Sequence, residues 1–136
     1  MIDMATKRPP QKPRAHSARR FRVFLVDDHP IVRQGLVQLI NVQPDLTVCG
    51  EAEDVTGALA TIGRDRPDLV ILDLSLKGRS GMELVKVLKA QHARLPVLVL
   101  SVYDEQFYAE RLLRLGARGY VMKDEATEEL LAAIRS

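Results

Sequence analysis

The sequence predicts an α/β fold, a doubly wound five-stranded parallel sheet in the order 2-1-3-4-5. Three observations predict it. Four apolar runs, VFLVDD, LVILD, PVLVLS and GYVMK, are unbroken by alternation. Such runs suit strands buried on both faces, as in a parallel sheet. Helix-period segments follow the strands five times along the chain, which implies right-handed crossovers with helices on both faces. Each of the four runs ends on a chemically active residue: Asp27 and Asp28, then Asp73, Ser101 and Lys123. Functional groups of open α/β sheets gather beyond the carboxyl ends of the strands, at the point where the strand order reverses. That point lies between the first and third strands, which places Asp27, Asp28 and Asp73 on either side of it.

The elements follow in order. A strand over residues 22–26 leads into a helix over 30–41, where Pro30 suits the first helical position and Val32, Leu36 and Leu39 mark a buried stripe. A strand over 46–51 precedes a helix capped by Asp54, with Val55, Leu59 and Ile62 facing inward. The strand at 69–72 passes through the loop DLSLKGRS to a helix over 81–91, and Ser80 and Glu83 have capping-box spacing. A strand over 96–100 precedes a helix over 105–115 that Gly116 ends. The last strand, 119–122, is followed by a helix from 128 to the chain end, capped by Thr127, with Leu130, Leu131 and Ile134 inside.

Composition narrows the function classes. The chain has 136 residues, 46% of them apolar, enough for one domain with a genuine core. No apolar stretch reaches the ~18 residues a membrane span needs, and the N-terminus lacks the apolar block of a secretory signal. Cys49, the single cysteine, reads as a buried thiol in a reducing cytosol. Residues 1–20 hold six basic residues and three prolines against Asp3 alone, the pattern of a basic flexible tail. The remaining residues carry 14 basic and 17 acidic groups, a balance that disfavours the body as a DNA-binding surface.

The first strand–helix loop, DDHPIVRQG, is acidic. It has neither the G-x-G-x-x-G of a dinucleotide site nor the G-x-x-x-x-G-K-S/T of a phosphate loop. Carboxylates without a His or Cys cluster suit a hard cation such as Mg²⁺, which prefers one or two carboxylates, waters and a phosphate oxygen. An aspartate can itself be a nucleophile and form an aspartyl phosphate, and Lys123 supplies counter-charge for anionic oxygens.

The pieces VFLVDDHPIVRQGL, LVILDLSLKGRSGMEL, VLVLSVYDEQFYAERLLRLGARGYVMKDEA and TEELLAAIR together resemble a response-regulator receiver domain of two-component signalling, with a flavodoxin-like fold. The likeness covers residues 21–136 and points to the subgroup usually joined to a LuxR-type helix-turn-helix. It implies that Asp73 is the phosphoacceptor. Asp28 would bind Mg²⁺ directly, Asp27 would act through water or orient the site, and the Ser75 carbonyl would be a further ligand. Lys123 would neutralise phosphoryl oxygens, Ser101 would hydrogen-bond one of them, and Tyr120 would be the aromatic switch. Rival readings are that Ser101 satisfies loop backbone, that Tyr120 is ordinary strand packing and that Lys123 is a solvated charge. His29 beside the acid pair invites a ligand or phosphodonor reading, but it reads rather as a loop residue before Pro30. Lys77, Val102 and Asp124 depart from the general receiver pattern without removing a chemical group.

The resemblance implies a cytoplasmic, phosphorylation-controlled switch fed by a histidine kinase, with no membrane association and no enzyme activity beyond its own phosphorylation and dephosphorylation. Phosphorylation would promote a homodimer, and DNA would be met only through a domain absent from these residues. A stand-alone receiver and a non-phosphorylated interaction module are the alternatives. An Asp-nucleophile phosphohydrolase fits less well, because DLSL offers no acid two residues after Asp73.

Overall fold

The computed structural model describes residues 19–74, 81–101, 106–122 and 126–136. Five strands and five helices alternate. The strands are β1 (Phe21–Val26), β2 (Leu46–Ala52), β3 (Leu69–Asp73), β4 (Val97–Ser101) and β5 (Gly119–Met122). The helices are α1 (Pro30–Asn41), α2 (Val55–Asp65), α3 (Gly81–Gln91), α4 (Gln106–Leu115) and α5 (Ala126–Arg135). All strand pairs are parallel and the order is β2-β1-β3-β4-β5. The expected doubly wound sheet is present, with the reversal between β1 and β3.

The sheet divides the core in two by side-chain parity. Phe24, Val26, Val70, Leu72, Val97 and Val99 pack with Val55, Ala58 and Ile62 of α2, Leu84, Val85 and Leu88 of α3, and Leu112 of α4. Val23, Leu25, Leu69, Ile71, Leu98, Leu100 and Val121 pack with Leu36 and Ile40 of α1 and with Leu130 and Ile134 of α5. Adjacent residues of one strand therefore serve opposite layers, so every residue of β3 and β4 is buried and neither strand shows alternation.

Local chemistry sets the element ends. Pro30 stands at the first helical position of α1. The Asp54 carboxylate accepts from the Gly57 N–H at 2.7 Å and caps α2 as expected. Gly116 has φ 113° and ends α4; a Cβ there would meet the Lys89 side chain at 2.6 Å. The Lys89 stem lies across this glycine, and its ammonium donates to the Leu95 carbonyl at 2.7 Å.

Several sequence expectations need correction. Val32 is 39% exposed; the inward stripe of α1 is Arg33, Leu36, Val37, Leu39 and Ile40, so Leu36 and Leu39 stand as expected and Val32 does not. An arginine holds the stripe's first position because its guanidinium finds two oxygens there. Ala58 is fully buried on α2, whereas Leu59 is only partly covered. Helix α5 begins at Ala126, so Thr127 falls within the helix and not at its cap. Cys49 is half-buried on the edge strand β2, at the register shift where Val23 pairs with Val48 and Phe24 with Gly50. Burial still pushes its thiol pKa up, as expected of a protonated packing residue. The Ser80 cap lies outside the described residues.

Candidate functional site

The carboxyl ends of β1 and β3 bring the three predicted aspartates together. Asp73 is the last residue of β3 and is 1% exposed; Asp27 directly follows β1 and is 2% exposed. By parity Asp27 continues the Val23–Leu25 face and Asp73 the Leu69–Ile71 face, so both belong to the α1/α5 side of the sheet. Asp28 stands one residue further into the turn, with only 6% of its side chain exposed. One oxygen from each of these carboxylates, together with a ring nitrogen of His29, lies within a sphere in which all are within 4.8 Å of one another.

The turn that holds them is built locally. An oxygen of the Asp27 carboxylate accepts from the main-chain N–H of His29 at 2.8 Å, an Asx-type turn. The Asp27 main-chain N–H donates to the Ala52 carbonyl at 3.0 Å, which ties the turn to β2. From α1, the Arg33 guanidinium donates to the Asp27 carbonyl at 2.6 Å and to Glu51 at 3.0 Å. The positive end of α1 begins immediately after the acidic pair, a favourable place for negative charge. On the other side, Gly81 lets the start of α3 approach the residues that follow β3. A Cβ there would meet the Leu74 Cα and carbonyl oxygen at 3.0 Å and the Asp73 carbonyl at 3.3 Å.

His29, read from the sequence as a loop residue before Pro30 in preference to a ligand or phosphodonor, turns its ring into the cluster. Its Nδ1 lies 3.2 Å from Asp27, 3.0 Å from Asp28 and 3.4 Å from Asp73, each measured to a carboxylate oxygen. Half of its side chain remains exposed. The signal available in the sequence was the position itself, one residue after the acidic pair and one before a helix-starting proline.

Ser101 ends β4 and is 1% exposed. Tyr120 is partly buried against the α2/α3/α4 core layer. Val99 pairs with Tyr120 and Ser101 with Met122. Ser101 and Tyr120 therefore share one face of the sheet on neighbouring strands, two residues apart in register. Ser75, Lys77, Val102, Lys123 and Asp124 lie outside the described residues.

The donor set fits Mg²⁺ in kind. Three carboxylates offer hard oxygen ligands at one point, and no thiolate competes. Among the described residues no helix is long and apolar enough to cross a membrane.

Comparison with known proteins decides the family. The family model for the response regulator receiver domain matches residues 23–135. The chain belongs to the response-regulator receiver family. It is 40% identical over 114 residues to the DNA-binding transcriptional activator DevR/DosR of Mycobacterium tuberculosis, covering 84% of this chain and 52% of that protein. Among solved structures, a two-component response regulator of the LuxR family from Aurantimonas superposes with TM-score 0.82 at 34% identity, covering 86% of this chain and 84% of that one. RcsB of Salmonella enterica serovar Typhimurium, solved bound to promoter rprA in the presence of phosphomimetic BeF3⁻, superposes with TM-score 0.79 at 28% identity, covering 86% and 59%. The receiver spans about half the length of the curated relatives it matches.

Proposed function

We propose that this receiver is a phosphorylation-controlled switch in which Asp73 accepts a phosphoryl group from the phosphohistidine of a histidine kinase. One observation carries the reading: a buried strand-end aspartate shares its pocket with two further carboxylates from the neighbouring strand, in a chain of receiver family. A carboxylate oxygen of Asp73 attacks phosphorus, the phosphorus–nitrogen bond of the donor breaks, and the imidazole leaves with the bonding pair. The reaction asks mainly for positioning and charge neutralisation.

Asp28 and Asp73 would hold Mg²⁺ directly, with Asp27 through water or as the orienting group and the Ser75 carbonyl as a further ligand. When bound, Mg²⁺ would offset the negative charge that gathers as phosphate meets carboxylate. Lys123 would take up charge on the phosphoryl oxygens. Ser101 would donate to one of them, and Tyr120 would turn into the space that Ser101 vacates. The shared sheet face of Ser101 and Tyr120 supports that coupling. A biased two-state surface of this kind would promote homodimerisation.

The relatives, a DNA-binding transcriptional activator among them, support a wider reading, in which residues 21–136 are the cytoplasmic receiver part of a transcription regulator. DNA would then be contacted by a separate domain, and residues 1–20 would form a basic flexible tail.

The direct test is intact mass after incubation with acetyl phosphate and Mg²⁺. One added phosphoryl group is expected, located on the peptide that contains Asp73 and absent without metal. No adduct, or an adduct on that same peptide in Asp73→Asn, would overturn the assignment.

A further inference from the structure

We propose that His29 is a metal ligand, so that its Nδ1 joins the carboxylates of Asp28 and Asp73, and that of Asp27 directly or through water, in a mixed nitrogen–oxygen set that prefers first-row transition cations such as Mn²⁺ and Co²⁺ to Mg²⁺. The inference rests on the metal-binding reading above and assigns that site a ligand and a selectivity.

The geometry is that of donors sharing one coordination sphere. Around an octahedral ion with bonds near 2.1 Å, neighbouring donor atoms stand about 3.0 Å apart. The Nδ1 of His29 lies 3.0 Å from the Asp28 oxygen, 3.2 Å from that of Asp27 and 3.4 Å from that of Asp73. All four donors fall within 4.8 Å of one another, slightly beyond the ~4.2 Å that separates opposite donors on such an ion. A contraction of about 0.6 Å across the widest pair closes the set.

The backbone that carries the imidazole is also held in place. Its main-chain N–H is held by Asp27 at 2.8 Å, and Pro30 fixes the following turn at the start of α1. The turn carrying both residues is clamped by Arg33 through the Asp27 carbonyl. Nitrogen donation changes which ions suit the site. Oxygen-only sets suit Mg²⁺, whereas imidazole suits later first-row metals, whose affinities rise from Mn²⁺ through Co²⁺ in nitrogen–oxygen sites.

A rival role is consistent with the same distances. The ring would then be a stand-in for the cation, donating an N–H to the acids and leaving when metal arrives. The two roles predict opposite consequences for removal of the ring. A ligand's loss weakens Co²⁺ and Mn²⁺ while leaving Mg²⁺ nearly unchanged. A competitor's loss strengthens every divalent cation alike.

The experiment is calorimetric titration of the full chain with MgCl₂, MnCl₂ and CoCl₂, for the wild type, His29→Ala, His29→Gln and Asp28→Ala. It is paired with pulsed electron paramagnetic resonance of bound Mn²⁺ to detect ¹⁴N coupling. The wild type is expected to show ¹⁴N coupling that His29→Ala abolishes. The Co²⁺/Mg²⁺ affinity ratio should fall roughly tenfold or more in both His29 variants. Because the chain also holds His16 and His92, only coupling lost in His29→Ala counts. An unchanged ratio, or a wild-type Mn²⁺ spectrum without that coupling, overturns the proposal. If Mg²⁺ binds the wild type and Asp28→Ala loses it, such a result removes His29 alone. If no divalent cation binds the wild type, the metal-site reading falls as well.

Discussion

The two ends of the sheet treat aspartate in opposite ways. At the amino ends of the strands each acid meets its own arginine. The Asp68 carboxylate accepts from the Arg22 main-chain N–H at 2.8 Å and from the Arg19 guanidinium at 3.2 Å. Asp45 accepts a two-pronged contact from Arg135 at 2.8 and 2.9 Å. At the carboxyl ends, three carboxylates from two adjacent strand ends converge on the half-exposed imidazole of His29. The lower pairs join residues 49 and 90 positions apart and tie the segment before β1 and the last turn of α5 to the starts of β3 and β2. The upper cluster gathers like charge, which opposes folding unless an ion or an incoming group completes it. The stabilising charges are matched one to one; those of the proposed site are crowded.

The largest expected effect comes from making the same substitution at each end. Asp73→Asn should abolish phosphoryl transfer from acetyl phosphate, because the amide keeps the shape and removes the nucleophile. Asp45→Asn should leave phosphorylation at the wild-type level. Intact-mass time courses of the two variants check the contrast, and equal loss in both would erase the distinction between the ends.

Asp28→Ala sharpens it further. Removing one of the crowded charges should raise metal-free stability by on the order of 1 kcal/mol, since like charges at this range repel by more than that before compensation. That is roughly 3–5 °C in Tm for a domain of this size. The same variant should lose the stabilisation expected from Mg²⁺ in the wild type, about 2.7 kcal/mol at a hundred times the dissociation constant. Thermal melts with and without Mg²⁺ measure both. A variant that is less stable without metal and still gains from Mg²⁺ would mean that Asp28 is a structural residue.

How much of this was legible in the sequence depends on what each feature rests on. The sheet and its order follow from buried runs and alternating helices, and the aspartates follow from where those runs stop. Arg33 was hidden because an amphipathic stripe is read from apolar residues. Its long side chain occupies a core-facing position only because Glu51 and the Asp27 carbonyl meet it there, a tertiary fact. His29 was read as a loop residue for a similar reason: strand-end position places the backbone, but the direction of the ring is set by the carboxylates that it meets. The early start of α5 shows the ordinary limit of cap reading, since a threonine is as acceptable inside a first turn as before it.

Arg33→Ala tests the support of the crowded end. Its side chain is 19% exposed and carries two contacts. Loss of a charge-assisted hydrogen bond to the Asp27 carbonyl should cost about 1–2 kcal/mol of stability. Because that carbonyl belongs to the turn carrying Asp27 and Asp28, Mg²⁺ affinity should fall several-fold as well, with Arg33→Lys rescuing only in part. Calorimetry separates the two effects. A stability loss with unchanged Mg²⁺ affinity would confine Arg33 to packing.

The smallest effect belongs to the matched end and is read through pH. The Arg135 guanidinium hydrogen-bonded to Asp45 holds that carboxyl below its usual value of 3.8. A carboxylate whose pKa is lower folded than unfolded contributes stability above the unfolded value and loses it as pH falls through the folded one. The wild type should therefore melt slightly above Asp45→Asn at neutral pH, and the two curves should converge as the pH drops below about 4. Both partners are well exposed, at 41% and 53% of their side chains. Salt should then shrink the neutral-pH gap, because exposed pairs are weak and screened. Melting series at several pH values, at low and at high salt, measure it. A gap that persists at low pH would assign the stabilisation to packing of the Arg135 stem over β2 and not to charge.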